Sequence, residues 1–158
     1  MRRTREIIGL PVLSLHSGQR VGWVQDVIYE EKNNEITGII LESHFFQSAK
    51  GIPRKEIQLI GKDALVIDSE ELEEIPGVHV TQKIGNHVYN QDGDERGTIQ
   101  DIFLDDEART VAGYEVSDGL IADLLQGRGM ILQQQVYSDS KDTLVVEEGG
   151  NCRELSGM

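Results

Sequence analysis

Residues 20–41 read RVGWVQDVIYEEKNNEITGIIL, two runs rich in alternating apolar positions on either side of the turn-forming Lys32-Asn33-Asn34. A period of two marks strands with one face turned to a core, and the Asn-rich interruption marks a hairpin. The pattern returns 75 residues later as RGTIQDIFLDDEARTVAGYEV. Gly22, Val24, Asp26 and Val27 then correspond to Gly97, Ile99, Asp101 and Ile102, and Ile36, Gly38 and Leu41 to Val111, Gly113 and Val116. Upstream the offset is 76, so Gly9 and Val12 meet Gly85 and Val88. After a four-residue insertion it becomes 79, and Ile52, Ile57, Leu65 and Ile67 meet Ile131, Val136, Leu144 and Val146. One unit has been duplicated, and two copies of this length do not make a solenoid.

In the first copy the pattern predicts strands near 12–15, 21–29, 36–42, 58–60 and 64–67, divided by Ser17-Gly18, Lys32-Asn33-Asn34 and Gly61-Lys62-Asp63. In the second, turns fall at Asp92-Gly93, 105–109 and 139–142. Several short strands with short turns predict a small closed or nearly closed antiparallel barrel, because closure removes exposed edges. The expected class is all-β: two tandem small antiparallel β-barrels. The acidic stretch 68–74, ended by Ile75-Pro76-Gly77, reads as a linker. Boundaries follow at 1–75 and 76–148, with a tail, 149–158, expected to be mobile.

The stretch from Ile8-Gly9-Leu10-Pro11 through Leu41, followed by GIPRKEIQLIGKDALVID, resembles the PRC-barrel domain, including a Gly-x-Val-x-Asp-Val core at residues 22–27. That fold takes its name from the cytoplasmic domain of the photosynthetic reaction centre H subunit and also forms the C-terminal domain of RimM-type ribosome maturation factors. The likeness covers nearly the whole chain as two copies. It implies six-stranded barrels used in protein interaction or assembly, and it brings no catalytic signature with it.

Charge narrows the function further. Fifteen basic residues against 28 acidic ones give −13, with no basic stripe interleaved with aromatics, so direct nucleic-acid binding is not expected. No apolar run approaches the ~20 residues that span a bilayer, so membrane insertion is not expected either. The lone Cys152 excludes an internal disulfide and suits a reducing compartment, pointing to a cytoplasmic protein. His16, His44, His79 and His87 lack metal-ligand spacing, and no nucleophile motif or phosphate loop occurs. A non-enzyme without metal or cofactor is the expectation.

The candidate surface lies where the copies differ. If the long strand alternates without interruption, Val24, Asp26 and Ile28 face inward, while Val21, Trp23 and Val27 form an outward apolar strip with Ile40. The aligned residues of copy two are Arg96, Thr98, Ile102 and Glu115, three of them polar, so the strip is special to copy one. It is expected to cover another part of the chain or a second copy rather than an external protein. Asp26 and Asp101 are expected to accept backbone N–H groups, or to turn outward through a bulge. Copy two also carries SDGLIADLLQGRG (117–129), which predicts a short helix capped by Ser117 or Asp118, presenting Leu120, Leu124 and Arg128 to a barrel or a partner. The matching place in copy one holds Phe45 and Phe46. The resulting expectation is an interaction or assembly module with a protein partner of unknown identity, or a homodimer. The alternatives are a ribosome-maturation-type factor binding a basic ribosomal protein, and a small-ligand-binding barrel.

Overall fold

The computed structural model describes residues 1–42, 50–117 and 129–147. It divides into two compact units, Met1–Thr81 with Phe103–Val111, and Gln82–Ile102 with the described residues from Ala112 onward.

The first unit is built on β1 (Arg2–Arg3), β2 (Pro11–Ser14), β3 (Arg20–Tyr29), β4 (Ile36–Glu42), β5 (Lys50–Pro53), β6 (Ile57–Ile60), β7 (Leu65–Ile67) and β8 (Val78–His79). Its sheet runs β5-β4-β3-β2-β7-β6, with β8 added along the end of β3. The expected five strands thus become six in the sheet's main path. The extra one, β5, was missed because LysGlyIlePro is too short to show alternation and ends in proline. All pairings of the main path are antiparallel except one. β2 and β7, the first and last of the six, run parallel with Val12 opposite Leu65. A parallel neighbour needs a long crossover, and here the intervening strands supply it. The core is aliphatic, with Val12, Val24, Leu41, Ile52, Leu65 and Ile67 all buried.

The long strand does not alternate without interruption. Val24 lies opposite Leu41, yet Asp26 lies opposite Ile40, so Gln25 is an extra residue and the ladder carries a bulge. Each bulge moves the following side chains to the other face. Val27, expected outside, is therefore on the core face with Val24, opposite Ile39. Asp26 and Ile28 take the face of Trp23 instead. Ile40 shares that face but is also buried. The outward strip of Val21, Trp23, Val27 and Ile40 is thus corrected: Val27 turns inward, Ile40 is covered, and only Val21 and Trp23 keep partial exposure.

The cover over Asp26 and Ile28 comes from β8 and the residues after it. Ile28 pairs with His79 and Tyr29 with Val78. The turn into β8 depends on Gly77, whose φ is +129° and whose missing Cβ would lie 2.5 Å from the Tyr29 carbonyl oxygen. Gly77→Ala is expected to cost about 2–3 kcal/mol in urea unfolding, through a disfavoured φ and a backbone clash together. Further along the linker, the buried Ser14 hydroxyl donates to Glu70 Oε2 at 2.7 Å. That bond, more than any other cause, holds the Glu70 carboxyl below its usual range. A carboxylate with a lowered folded pKa adds stability above its unfolded value of about 4.3, lost as pH falls through the folded value. Acid titration of stability should show this small loss in the wild type, and Ser14→Ala should flatten it.

The second unit repeats the plan with α1 (Val80–Lys83) at its start, then β9 (His87–Asn90), β10 (Glu95–Leu104), β11 (Val111–Ser117), β12 (Gly129–Leu132), β13 (Val136–Asp139) and β14 (Thr143–Val146). The order β12-β11-β10-β9-β14-β13 matches the first sheet strand for strand. β9 and β14 are again parallel, with Val88 opposite Leu144, the counterparts of Val12 and Leu65. The tip of its long hairpin, Phe103–Val111, belongs to the first unit. There Phe103 and Leu104 pair with Arg3 and Arg2, and Thr110 bridges Glu35. The helix expected within 117–129 lies outside the described residues, which contain one α-helix, Val80–Lys83. Glu115, expected on an outward face, is buried.

Candidate functional site

Trp23 has different neighbours from those its own strand suggested. On the outer face it pairs with Pro11 on β2, and two residues along β2 Leu13 pairs with Arg20. Leu13 in turn lies opposite Val66 on β7, and Val66 opposite Leu59 on β6. Adjacent strands lie about 4.8 Å apart, so these side chains form one continuous apolar face across four strands. Leu13 is 38% exposed, Leu59 61% and Leu15, just beyond β2, 63%. The Arg20 guanidinium lies 4.7 Å from the Trp23 ring centroid, a cation–π stack. Glu42, opposite Trp23 on the other side, is exposed.

The corresponding residues of the second copy are Thr98, His87, Tyr89, Val145 and Ser138, with Glu95 in place of Arg20. Their ladder is the same: Tyr89 opposite Val145, Val145 opposite Ser138, and Glu95 opposite Tyr89. There the His87 ring meets the Glu95 carboxylate. The fold therefore accepts a more polar face here, with Thr98, His87 and Ser138 where copy one has Trp23, Pro11 and Leu59. Sequence reasoning found Trp23 but not Pro11, Leu13, Val66 or Leu59. Leu13 and Leu15 at alternate positions were the available signal, but cross-strand register was needed to join them to Trp23. Of the other expected residues, Phe45, Phe46, Leu120, Leu124 and Arg128 lie outside the described residues.

Beside this face Asp26 forms a buried polar knot. Its Oδ1 accepts from the backbone amides of Val27, at 2.9 Å, and Thr81, at 3.2 Å. Its Oδ2 accepts the Thr81 hydroxyl and contacts His79 Nδ1 at 3.1 Å. Asp101 repeats the local part, with Ile102 N–H donating at 2.7 Å. Both expected outcomes, bulge and backbone acceptor, are realised at Asp26. The hydroxyl is given to the carboxylate rather than to the imidazole, so the trio lacks the nucleophile–base contact that covalent catalysis uses. It works as a clasp, tying 79–81 over the bulge. Among the described residues no three His, Cys, Asp or Glu side chains gather closely enough to hold a metal ion.

A second buried polar group was not foreseen. Lys83 is fully buried, its Nζ 2.8 Å from Asp139 Oδ1 and 2.6 Å from the Ser140 carbonyl oxygen. Tyr114 donates its hydroxyl to Asp139 Oδ2 at 2.9 Å. In copy one the matching positions are Ile7, Ile60 and Ile39, all buried.

Two sheets of six strands in one shared order, each with its one parallel closure, define a tandem small β-barrel protein. The chain belongs to the PRC-barrel domain family, whose model matches it twice, over residues 1–73 and 78–150. It is also similar to "Uncharacterized protein YrrD" of Bacillus subtilis (strain 168), at 26% identity over 152 residues, covering 92% of this chain and 87% of that protein. The family match describes a barrel domain in each half of the chain. No helix among the described residues is long and apolar enough to cross a membrane.

Proposed function

We propose that the protein is a non-catalytic, cytoplasmic assembly module whose first barrel binds protein through the face of Trp23, Pro11, Leu13, Val66 and Leu59. The observation that carries this reading is the contrast between the copies: one ladder, apolar and partly exposed in copy one, with three of its five positions polar in copy two. Exposed contiguous apolar surface is costly unless it is covered in use. The occupant we assign is a second copy of this chain. Trp23 is flanked by Arg20 on one side and Glu42 on the other, an arrangement in which a two-fold axis pairs each residue with its opposite in the mate.

Light scattering after size exclusion should show a dimer, and Leu13→Asp/Leu59→Asp a monomer with unchanged circular dichroism. Trp23 is the chain's single tryptophan, so acrylamide quenching of its fluorescence should weaken as concentration rises in the wild type only. A wild type that stays monomeric at its highest attainable concentration, with quenching independent of dilution, rejects the second copy as occupant.

A further inference from the structure

Beside the apolar face lies a cavity of about 330 Å³ in the first unit, whose charged lining is Arg2, Arg54 and Arg109 with Asp106 and Glu107. Three arginines against two carboxylates around one hollow is an unexpected balance in a chain of net charge −13. Two of these arginines are held by backbone oxygens. Arg54 donates three hydrogen bonds, all to backbone carbonyls: Nε to Ala108 at 3.0 Å, and the two terminal nitrogens to Ile57 at 3.0 Å and Glu107 at 2.7 Å. Arg2 likewise bonds the carbonyls of Ile60 and Gly61. Carbonyl dipoles hold these side chains in place but do not neutralise them.

The neighbouring carboxylates all have partners, and for Glu107 that partner is Arg109 itself. Asp106 accepts the N-terminal ammonium at 2.7 Å, and Asp105 accepts the backbone amide of Arg109 and the Thr110 hydroxyl. Glu107 Oε2 meets Arg109 Nε at 3.2 Å, on the exposed side. Burial, and then the nearby Arg109 charge, lower the pKa of Arg54 more than Asp105 and Glu107 raise it. A guanidinium has five N–H donors, so Arg54 retains two and Arg2 three beyond these bonds.

We propose that this cavity is a binding site for a small soluble phosphate ester, its phosphoryl group held between Arg2, Arg54 and Arg109. One guanidinium fork satisfies one carboxylate, whereas three converging forks suit an oxyanion with three free oxygens and close to two negative charges. The volume is at the lower end for small-molecule sites, so a modest organic group fits beside the phosphate. Gln58, whose amide nitrogen donates to Asp68, and Leu59 also line the cavity. Leu59 belongs both to this cavity and to the face proposed for the dimer, whereas the hydrogen bonds named above for Arg2, Arg54 and Arg109 are all made within one chain.

The test is a titration of the full chain with pyrophosphate and with glucose 6-phosphate, followed by phosphorus NMR line width and by calorimetry. Arg109 is 61% exposed and its ion pair is a surface one, so Arg109→Glu should fold normally while losing the site. Saturable binding of both probes, weakened at least tenfold in Arg109→Glu and less in Arg109→Lys, is the expected result. Absence of binding at millimolar probe overturns the proposal, as does equal binding by wild type and Arg109→Glu. Citrate binding as tightly as the phosphates overturns the phosphate assignment. Co-sedimentation with phosphatidic-acid vesicles, without binding of either soluble probe, transfers the site to a lipid headgroup and overturns the soluble ligand.

Discussion

Lys83→Ile is expected to destabilise the second unit by about 4 kcal/mol, read as a shift of its urea transition. The ammonium is fully buried between Asp139 and the Ser140 carbonyl, and Asp139 also holds the Tyr114 hydroxyl. Removing the lysine alone takes this cation from the largely covered Asp139 carboxylate, which is far more costly than the pair is valuable. The first unit supplies the control. It fills the matching positions with Ile7, Ile39 and Ile60, so one backbone plan accommodates three isoleucines there. The triple variant Lys83→Ile/Tyr114→Ile/Asp139→Ile should therefore recover most of the loss. A triple variant as unstable as the single would show that the copies pack differently around this trio, despite their shared ladder register.

Asp26→Ala should cost about 3 kcal/mol, because two backbone amides and a threonine hydroxyl lose a charged acceptor where water cannot readily replace it. Asp26→Asn keeps an oxygen for the two amides and should cost about 1 kcal/mol. The effect should appear first as faster amide exchange at 79–81, where the clasp holds the chain over the β3 bulge. Equal exchange at those amides in wild type and Asp26→Ala would mean that the β8 pairing alone, and not the carboxylate, retains the segment.

The two effects differ in how far the sequence announced them. Asp26 and Asp101 stood out as polar residues within apolar runs, and the need of a buried carboxylate for N–H donors followed from chemistry alone. Lys83 carried no such sign. It sits in a short polar-looking stretch, ThrGlnLys, and its burial becomes meaningful only when Asp139 and Tyr114, distant in sequence, are brought to it. The apolar face was half legible: Trp23 was found, but the strip was drawn along its strand rather than across the sheet. A single extra residue, Gln25, turned Val27 inward, and pairing with β2, β7 and β6 supplied the rest of the face.

By itself the sequence determined the duplication, the β class, the hairpin positions and the family, because alternation and turn chemistry are local and repeat in both copies. The tertiary structure alone decided the parallel β2–β7 closure, the bulge, the Trp23–Leu59 face, the Lys83 trio and the arginine-lined cavity. Each joins residues far apart in the chain, and strand register, which no local pattern encodes, selects which of them meet.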